Sequence, residues 1–418
     1  MSWSMPPAAT AVDTTSLWRH RDFTKLWAGQ TISLFGSRVG GFALTFVAIL
    51  SLHASPIQVA LLNAARYGPG LVVGLFAGVW LDRLRRRPVM IVADIGRAAL
   101  LAIIPVAAVL GHLTITLLFV IALGISILTF CFDVAYRSYL PTLVRREALI
   151  EGNSKLQASV AVTEFGGWSI AGLIVQALSA PGTALVDAVS FLVSAVSLTT
   201  IRAPEPPPTP SAARETAWQE IGQGLRLVRD NPIFRTLAGV TAVWDLFRSI
   251  IGATITLYAT RELHVSPAVQ GVIWSIGGIS SLCGAVLAER VTRRWGVGRT
   301  MFWMLLLAVI SSLFIPLASG PLWFIIVALL THEILLGGAA AIYGIDRVSL
   351  LQAGTPDGLL GRMNASIRFI EWSMILLGLL LGGVLGETIG LRAALFCAFG
   401  GQLLAPLWLA LSPVRVLR

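Results

Sequence analysis

Long apolar stretches, separated by short polar turns, recur along the whole chain. An apolar run of about 18 or more residues is long enough to cross the hydrocarbon core of a bilayer as a helix. Most of these runs exceed that length, so the helices are expected to tilt or to extend beyond the membrane. Twelve runs can be distinguished, at residues 24–52, 57–81, 88–110, 113–140, 153–179, 182–201, 235–262, 268–290, 299–318, 321–351, 362–388 and 390–411.

The continuity of the runs decides between helices and strands. Lipid offers the backbone no hydrogen-bond partner, so only helices and closed barrels span a membrane. Barrel strands would be about ten residues long with alternating polarity, whereas these runs are apolar throughout. Only 12% of the 418 residues are charged, against about 25% in a typical soluble domain. An all-α membrane protein with twelve transmembrane helices is therefore predicted.

Basic residues concentrate in alternate turns. They are Arg19, Arg21 and Lys25; Arg83, Arg85, Arg86 and Arg87; Arg145 and Arg146; Arg290, Arg293, Arg294 and Arg299; and Arg415 and Arg418. The intervening turns SLHASP, LGHLT, LSAPG and LASGP are nearly neutral. Because short cytoplasmic loops carry the excess of Lys and Arg, both termini are predicted to be cytoplasmic. Orientation and anionic lipid explain the net charge of +10 better than nucleic acid does.

A polar segment divides the chain into two sets of six runs. Its first part, RAPEPPPTP, is a proline-rich linker. In the following stretch Trp218, Ile221, Leu225 and Val228 share one helical face, which predicts an amphipathic helix on the cytoplasmic surface. We therefore expect a six-helix bundle over residues 1–201, a linker over 202–234 and a second six-helix bundle over 235–418.

The two halves resemble each other in sequence. HASPIQ at 53–58 matches HVSPAVQ at 264–270, and LDRLRRR at 81–87 matches AERVTRR at 288–294. DFTKLW and EGNSKLQAS in the first half have similar counterparts, in the same order and at nearly the same offset, in the second. Such a series indicates a duplication. Two bundles related by a pseudo-twofold axis, with a binding site between them, are a known transporter plan.

These motifs resemble a known family. GVWLDRLRRRP at 78–88 is similar to the major facilitator superfamily signature between the second and third helices. Several stretches resemble the drug–proton antiporter group of twelve-span bacterial exporters, which includes macrolide and siderophore exporters. They are FDVAYRSYLPTLV, GNSKLQAS, LVDAVSFLVSA and SLLQAGTPDGLLGRMNAS. The fifth run, EFGGWSIAG, lacks the Gly-Pro pair usual in exporters, which leaves uptake open.

The resemblance implies a conformational latch at the cytoplasmic surface. Asp82 is expected to face the start of the eleventh helix when the protein opens outward, because a carboxylate interacts favourably with a helix N-terminus. Duplication extends this role to Glu289 and the start of the fifth helix. The predicted latch residues are Gly78, Asp82, Arg83, Arg86, Glu289 and Arg293. Alternatively, the arginine turn serves only to set the topology.

Charges within apolar runs are costly and indicate function. The proton-coupling candidates are Glu164, Asp245, Glu333 and Asp133. The resemblance implies that the first, fourth, seventh and tenth helices line a central cavity. The substrate-cavity candidates are Arg38, Arg66, Phe35, Phe130, Trp244, Phe247, Trp274, Tyr343 and Glu371. The alternative for the charged candidates is static pairing, of Arg38 with a nearby acid or of Asp245 with Arg248.

The chain shows no phosphate-binding loop, catalytic triad or zinc-ligand spacing. We therefore expect no cofactor, no metal site and no enzymatic activity. The hypothesis is a monomeric proton antiporter of the inner cell membrane that exports a lipophilic or amphiphilic small molecule. Its partners would be the substrate, protons and membrane lipids, and not nucleic acid. Uptake or facilitated diffusion, and a non-transporting sensor or assembly partner on the same fold, are the alternatives.

Overall fold

The computed structural model describes residues 17–81, 84–145, 148–205, 217–356 and 359–417, with side chains outside this description at 70–81, 217–221 and 416. Within these ranges the regular structure is helical, without strands. The first six long helices are α1 (Arg21–Phe46, continued by a π-turn over Val47–Ser51), α2 (Pro56–Leu81), α3 (Arg86–Val109), α4 (Ile115–Leu143), α5 (Leu149–Leu178) and α6 (Ala180–Thr199).

A short helix lies in the linker, and eight further helical segments come after it. They are α7 (Ala217–Asp230), α8 (Pro232–Arg261), α9 (Pro267–Trp295), α10 (Val297–Ser312), α11 (Phe314–Leu317), α12 (Leu322–Gly354), α13 (Leu360–Thr388), α14 (Leu391–Gln402) and α15 (Leu404–Ala410). The pairs α10–α11 and α14–α15 each form one interrupted membrane-length segment, Val297–Leu317 and Leu391–Ala410.

Across the described ranges, eleven helical segments are long and apolar enough to cross a membrane. They comprise α1 with its π-turn, α3 to α6, α8, α9, α12, α13 and the two interrupted segments. The other long helix, α2, has 26 residues and lies where the second span was predicted. The predicted all-helical multi-pass architecture is confirmed, while the count of twelve spans and the cytoplasmic termini stay predictions.

Local sequence explains where several of these helices begin. The Asn231 side chain accepts a hydrogen bond from the N–H of Ile233, and Pro232 occupies the first turn of α8. Ser266 and Pro267 begin α9 in the same way. An oxygen-bearing cap satisfies a free helical N–H, and proline lacks the N–H that would otherwise be left unpaired. The linker and the turn before α9 therefore end sharply, and α8 and α9 each start at a defined residue.

Helix contacts divide into a set among α1–α6 and a set among α8–α15. In the first, α1 packs against α5 and α6, α3 against α4 and α6, and α2 against α4. In the second, α8 packs against α13 and α14, and α12 against α9 and α10. The principal contacts between the two sets are those of α2 with α13 and of α5 with α9. The site described below lies between these two seams.

A buried ion pair lies within the first set of helices. Arg97 on α3 donates to Asp94 one turn earlier, and the side chains are 4% and 0% exposed. The Arg97 guanidinium carbon lies 4.5 Å from the Phe132 ring centroid and 4.0 Å from that of Phe191. The rings of α4 and α6 thus hold the cation against α3, which connects three helices through one side chain.

Replacing Asp94 by asparagine is expected to lower the free energy of unfolding by about 3–5 kcal/mol, because Arg97 would keep its charge in a buried site without its partner. The measurement is thermal or denaturant unfolding of the purified protein in detergent. Asp230→Asn is the matched control, since the Arg229–Asp230 pair is 77% and 64% exposed and exposed pairs contribute only about 0–1 kcal/mol. Equal losses in the two variants would contradict the prediction.

Candidate functional site

A cavity of about 600 Å³ lies between the two sets of helices. Helices α1, α2 and α5 line one side, and α8, α9, α12 and α13 line most of the other. Its polar and aromatic lining residues are Phe42, Thr45, Asn63, Arg66, Tyr67, Trp168, Trp244, Asp245, Arg248, Ser249, Thr256, Trp274, Ser312, His332, Glu333 and Gln402. The cavity combines apolar ring surface with a few charged groups, as small-molecule sites commonly do.

Two carboxylates meet in this cavity, Asp245 from α8 and Glu333 from α12. Arg248, one turn after Asp245, interacts electrostatically with both. Gly277 of α9 leaves room for the Glu333 carboxyl, since a Cβ at that position would overlap its Oε2. The sequence predicted both acids as candidates, and the structure brings them into one cavity with a cation they share.

His332 presents its ring to the same cavity. Its Nδ1 lies 2.9 Å from the backbone carbonyl oxygen of Ser311, and its side chain is buried. Because a carbonyl oxygen only accepts, Nδ1 must carry a proton, which leaves Nε2 as the free ring nitrogen. No group of three or more metal-ligating side chains occurs in the described part of the chain. Nε2 is therefore the ring nitrogen of His332 that can accept a further hydrogen bond.

Arg38 and Glu164 form an ion pair between α1 and α5. The guanidinium carbon of Arg38 lies 5.8 Å from the ring centroid of Trp168. The static pairing considered as the alternative for Arg38 is thus present, with Glu164 as its acid. Neither charged side chain is among the residues that line the central cavity.

A second cavity of about 230 Å³ is lined mostly by the first set of helices, including Phe130, Asp133 and Asp187, and also by Trp372 of α13. Arg66 and Tyr67 line both cavities. The structure thus places Asp133 and Phe130 beside the central cavity instead of in its wall, with Arg66 at the boundary. Of the predicted candidates, Arg66, Trp244, Asp245, Trp274 and Glu333 line the central cavity.

Four other substrate-cavity candidates pack between helices outside the lining of both cavities. Phe35 lies against Gly166 of α5, and Phe247 lies against Gly401 of α14. The Tyr343 side chain is buried in the core formed with α8 and α10. Glu371 accepts from Nη1 of Arg347 at 2.7 Å, so it is held in an ion pair.

At the predicted latch, Gly78 lies in α2, and Asp82 and Arg83 lie outside the described residues. Arg86 begins α3, and its backbone N–H donates to Glu205 of the linker. The other oxygen of Glu205 accepts from the backbone N–H of Arg87 at 3.2 Å. A carboxylate therefore caps a helix N-terminus here, but it comes from the linker.

In the second half, Glu289 and Arg293 line a cleft with Thr292 and Asp346. The hydroxyl of Thr292 donates to Asp346 of α12 at 2.9 Å. Glu289 was predicted to face the start of α5. The side chains nearest to Gly152, at that start, are those of Leu17, Phe23 and Leu140.

The two sets of helices meet tightly at the end of the bundle where α2 and α9 begin. Gly172 of α5 lies so close to α9 that an added Cβ would be 3.2 Å from the Cα of Gly271. The Ser169 hydroxyl donates to Ser275 at 2.7 Å. Arg261, at the end of α8, donates to the carbonyl of Ala54 before α2 at 2.8 Å. These contacts close the cavity at that end.

Sequence reasoning missed several residues of the cavity wall as binding residues: Asn63, Tyr67, Trp168, Arg248, His332 and Gln402. A signal was present for some of them. Asn63 precedes Arg66 by one turn, and Arg248 follows Asp245 by one turn, so each pair shares a helical face. Tyr67 follows Asn63 by four residues and so shares that face too. Gln402 carried no such signal, because position along a helix does not reveal the direction in which a side chain points.

The family model for the Major Facilitator Superfamily matches residues 26–379. The chain belongs to this superfamily. It is a multi-pass membrane transporter, which binds small-molecule substrates and membrane lipids and is not an enzyme. The transporter is 27% identical over 368 residues to the multidrug efflux pump Tap of Mycolicibacterium fortuitum, covering 84% of this chain and 87% of Tap. It is 22% identical over 383 residues to macrolide efflux protein A of Streptococcus pyogenes, covering 90% and 91%.

Solved structures show the same fold. The nucleoside transporter NupG matches this transporter with a TM-score of 0.74 at 13% identity, covering 93% of this chain and 98% of that one. A bacterial homologue of the iron transporter ferroportin, in an inward-facing state, matches with a TM-score of 0.73 at 18% identity and the same coverage. At such identities the likeness extends to architecture alone, so substrate must be argued from the site.

Proposed function

We propose that this transporter exports a lipophilic or amphiphilic small molecule across the inner cell membrane by proton antiport, acting as a monomer. The observation that carries the proposal is the central cavity, where Asp245 and Glu333 lie among three tryptophans and two arginines. Aromatic surface accommodates an apolar cargo. The two carboxylates supply groups that can hold either a proton or a polar part of the cargo.

Exchange follows from competition for the same carboxylates. A cationic or hydrogen-bond-donating cargo interacts best with an ionised carboxylate, whereas a bound proton removes that charge. Arg248 interacts with both Asp245 and Glu333, so loss of a proton from either acid is balanced within the site. Binding of cargo thus favours release of the proton, and binding of a proton favours release of cargo. This reciprocity is what antiport requires.

Alternating access needs one closure on each side of the cavity, and the two must form in opposite conformations. In the predicted orientation the tight contacts of Gly172 with α9 and of Arg261 with Ala54 lie on the external side. The cleft of Glu289 and Arg293 lies at the cytoplasmic end. We infer that two halves, residues 1–201 and 235–418, rock about the central cavity, with the external side closed in the conformation described. The predicted latch of Asp82 and Glu289 would then engage in the opposite state.

The named relatives support export over uptake. Tap is described as a multidrug efflux pump, and the streptococcal relative as a macrolide efflux protein. The predicted subgroup of drug exporters agrees with both. Lipophilic drugs of these kinds are the first candidates for a substrate screen.

Inverted membrane vesicles containing the transporter are expected to accumulate substrate only while a proton gradient, acid inside, is maintained. A growth screen of producing and non-producing cells against diverse toxic compounds would first select the substrate. Accumulation is then followed as radioactivity or fluorescence, and an ionophore that collapses the gradient serves as control. Equilibration without accumulation would instead indicate facilitated diffusion. Absence of flux for every compound that binds would indicate a non-transporting sensor.

A further inference from the structure

Two adjoining cavities lie at the cytoplasmic end of α9 and α10, away from the central site. One, of about 1270 Å³, is lined by basic residues that include Arg293, Arg294, Arg299 and Arg415. The other, of about 570 Å³, runs along α10 and is mostly apolar. Arg294, Trp295 and Arg299 line both cavities. A charged compartment therefore opens directly into an apolar groove.

The local sequence produces this junction. Helix α9 ends at Trp295, Gly296 has a φ of 81°, and α10 begins at Val297. A positive φ is readily adopted by glycine and reverses the chain within one residue. The turn brings Arg294 and Arg299, both exposed, to the mouth of the groove.

One stripe of α10 continues the groove into the membrane. Arg299, Trp303, Leu306, Leu307 and Ile310 recur at the three- and four-residue spacing of a single helical face. Trp303 is 52% exposed and Ile310 is 43% exposed. From Arg299 to Ile310 the helix rises about 16 Å, at ~1.5 Å per residue. This length is roughly half of the ~30 Å hydrocarbon core, or one leaflet.

The charge balance of the basic compartment is positive. Its acids are Glu289 and Asp346, and Asp346 already accepts from Thr292. In the described part of the chain, none of the compartment's four arginines forms an ion pair; these are Arg293, Arg294, Arg299 and Arg415. Guanidinium groups bind phosphate oxygens in a two-pronged geometry, and a tryptophan suits the membrane interface.

We propose that this junction binds one anionic phospholipid. The phosphate lies between Arg294 and Arg299, with Trp295 at the level of the headgroup. One acyl chain follows the stripe of Trp303 and Ile310. The positive-inside effect requires only the charge of these arginines. A shaped site additionally requires the apolar groove. It also requires that arginines at the mouth of the groove contribute more to lipid affinity than arginines elsewhere.

Binding is tested on the full-length transporter in detergent, by native mass spectrometry during titration with phosphatidylglycerol or phosphatidylcholine. Phosphatidylglycerol is expected to bind one copy more tightly than phosphatidylcholine. Arg294→Gln and Arg299→Gln are each expected to weaken that binding roughly fivefold. The matched control is Arg290→Gln. Arg290 lies in α9, like Arg294, and is exposed, but it lines neither cavity. This substitution is expected to leave the affinity unchanged.

A second arm distinguishes a lipid from its headgroup. Soluble glycerol phosphate is expected to bind at least tenfold more weakly than the diacyl lipid, because it cannot occupy the groove. Trp303→Ser is expected to weaken lipid binding and to leave the weak binding of glycerol phosphate unchanged. Equal losses in Arg290→Gln and Arg294→Gln would overturn the proposal, as would equal affinity for the two lipids. Equal affinity for lipid and headgroup would also overturn it.

Discussion

Replacing Glu333 by glutamine is expected to reduce gradient-driven transport to the level of vesicles that lack the protein. The amide keeps the size of the carboxyl and its place beside Gly277, but it cannot take up or release a proton. Exchange of labelled for unlabelled cargo, which needs no net proton movement, should continue. The measurements are proton release on addition of cargo, followed with a pH-sensitive dye, and counterflow in the same vesicles.

Glu262→Gln is the control for Glu333→Gln. Glu262 follows the end of α8 and is exposed outside the membrane-spanning segments, so the same chemical change should leave transport intact. Asp245→Asn, on the facing helix, separates the roles of the two acids. If Glu333→Gln transported at the normal rate against a gradient while Asp245→Asn did not, Glu333 would not be the coupling acid.

Replacing Gly172 by valine is expected to lower transport by about five- to 150-fold, because it opposes closure at the end of the bundle where α2 and α9 begin. The added side chain would overlap the backbone of α9 at Pro267 and Gly271. Overpacking of this kind typically costs about 1–3 kcal/mol, and it acts only in the conformation where α5 and α9 are in contact. The population therefore shifts toward the opposite state by the corresponding factor. Spin labels at the starts of α2 and α9 would report the shift as a change in the distribution of distances between them.

Gly400→Val provides the comparison for Gly172→Val. Gly400 lies in α14, where an added Cβ would meet nothing within 4 Å, so the same substitution should change neither the distance distribution nor the rate. A Gly172→Val protein that transports normally and keeps the wild-type distances would show that this contact does not govern the closure.

The course of the helices was largely predictable. The run at 88–110 corresponds to α3 over Arg86–Val109, and the run at 182–201 corresponds to α6 over Ala180–Thr199. Membrane helices can be predicted from sequence because an unpaired backbone group in lipid is very costly. A continuous apolar run therefore crosses the membrane as a helix. The linker also reads clearly, since prolines and a polar composition exclude a span there.

The partners of the charged residues were not predictable. Glu164 and Glu333 were both proton-coupling candidates within apolar runs, yet Glu164 pairs with Arg38 on α1, whereas Glu333 lines the cavity with Arg248. Glu371 was a cavity candidate, and Arg347 holds it in an ion pair. Position along a helix follows from counting residues, but rotation about its axis is set by packing against neighbours distant in sequence.

Hydropathy patterning alone was sufficient for a helical membrane protein, because it depends on the cost of placing local sequence in lipid or water. The motifs were sufficient for its superfamily, because they resemble the superfamily's signature directly. The tertiary structure decided which acids share a cavity, which acids are paired, and which end of the bundle is closed. Those outcomes depend on contacts between helices more than a hundred residues apart, such as Arg38 with Glu164 and Ser169 with Ser275. No local pattern encodes such contacts.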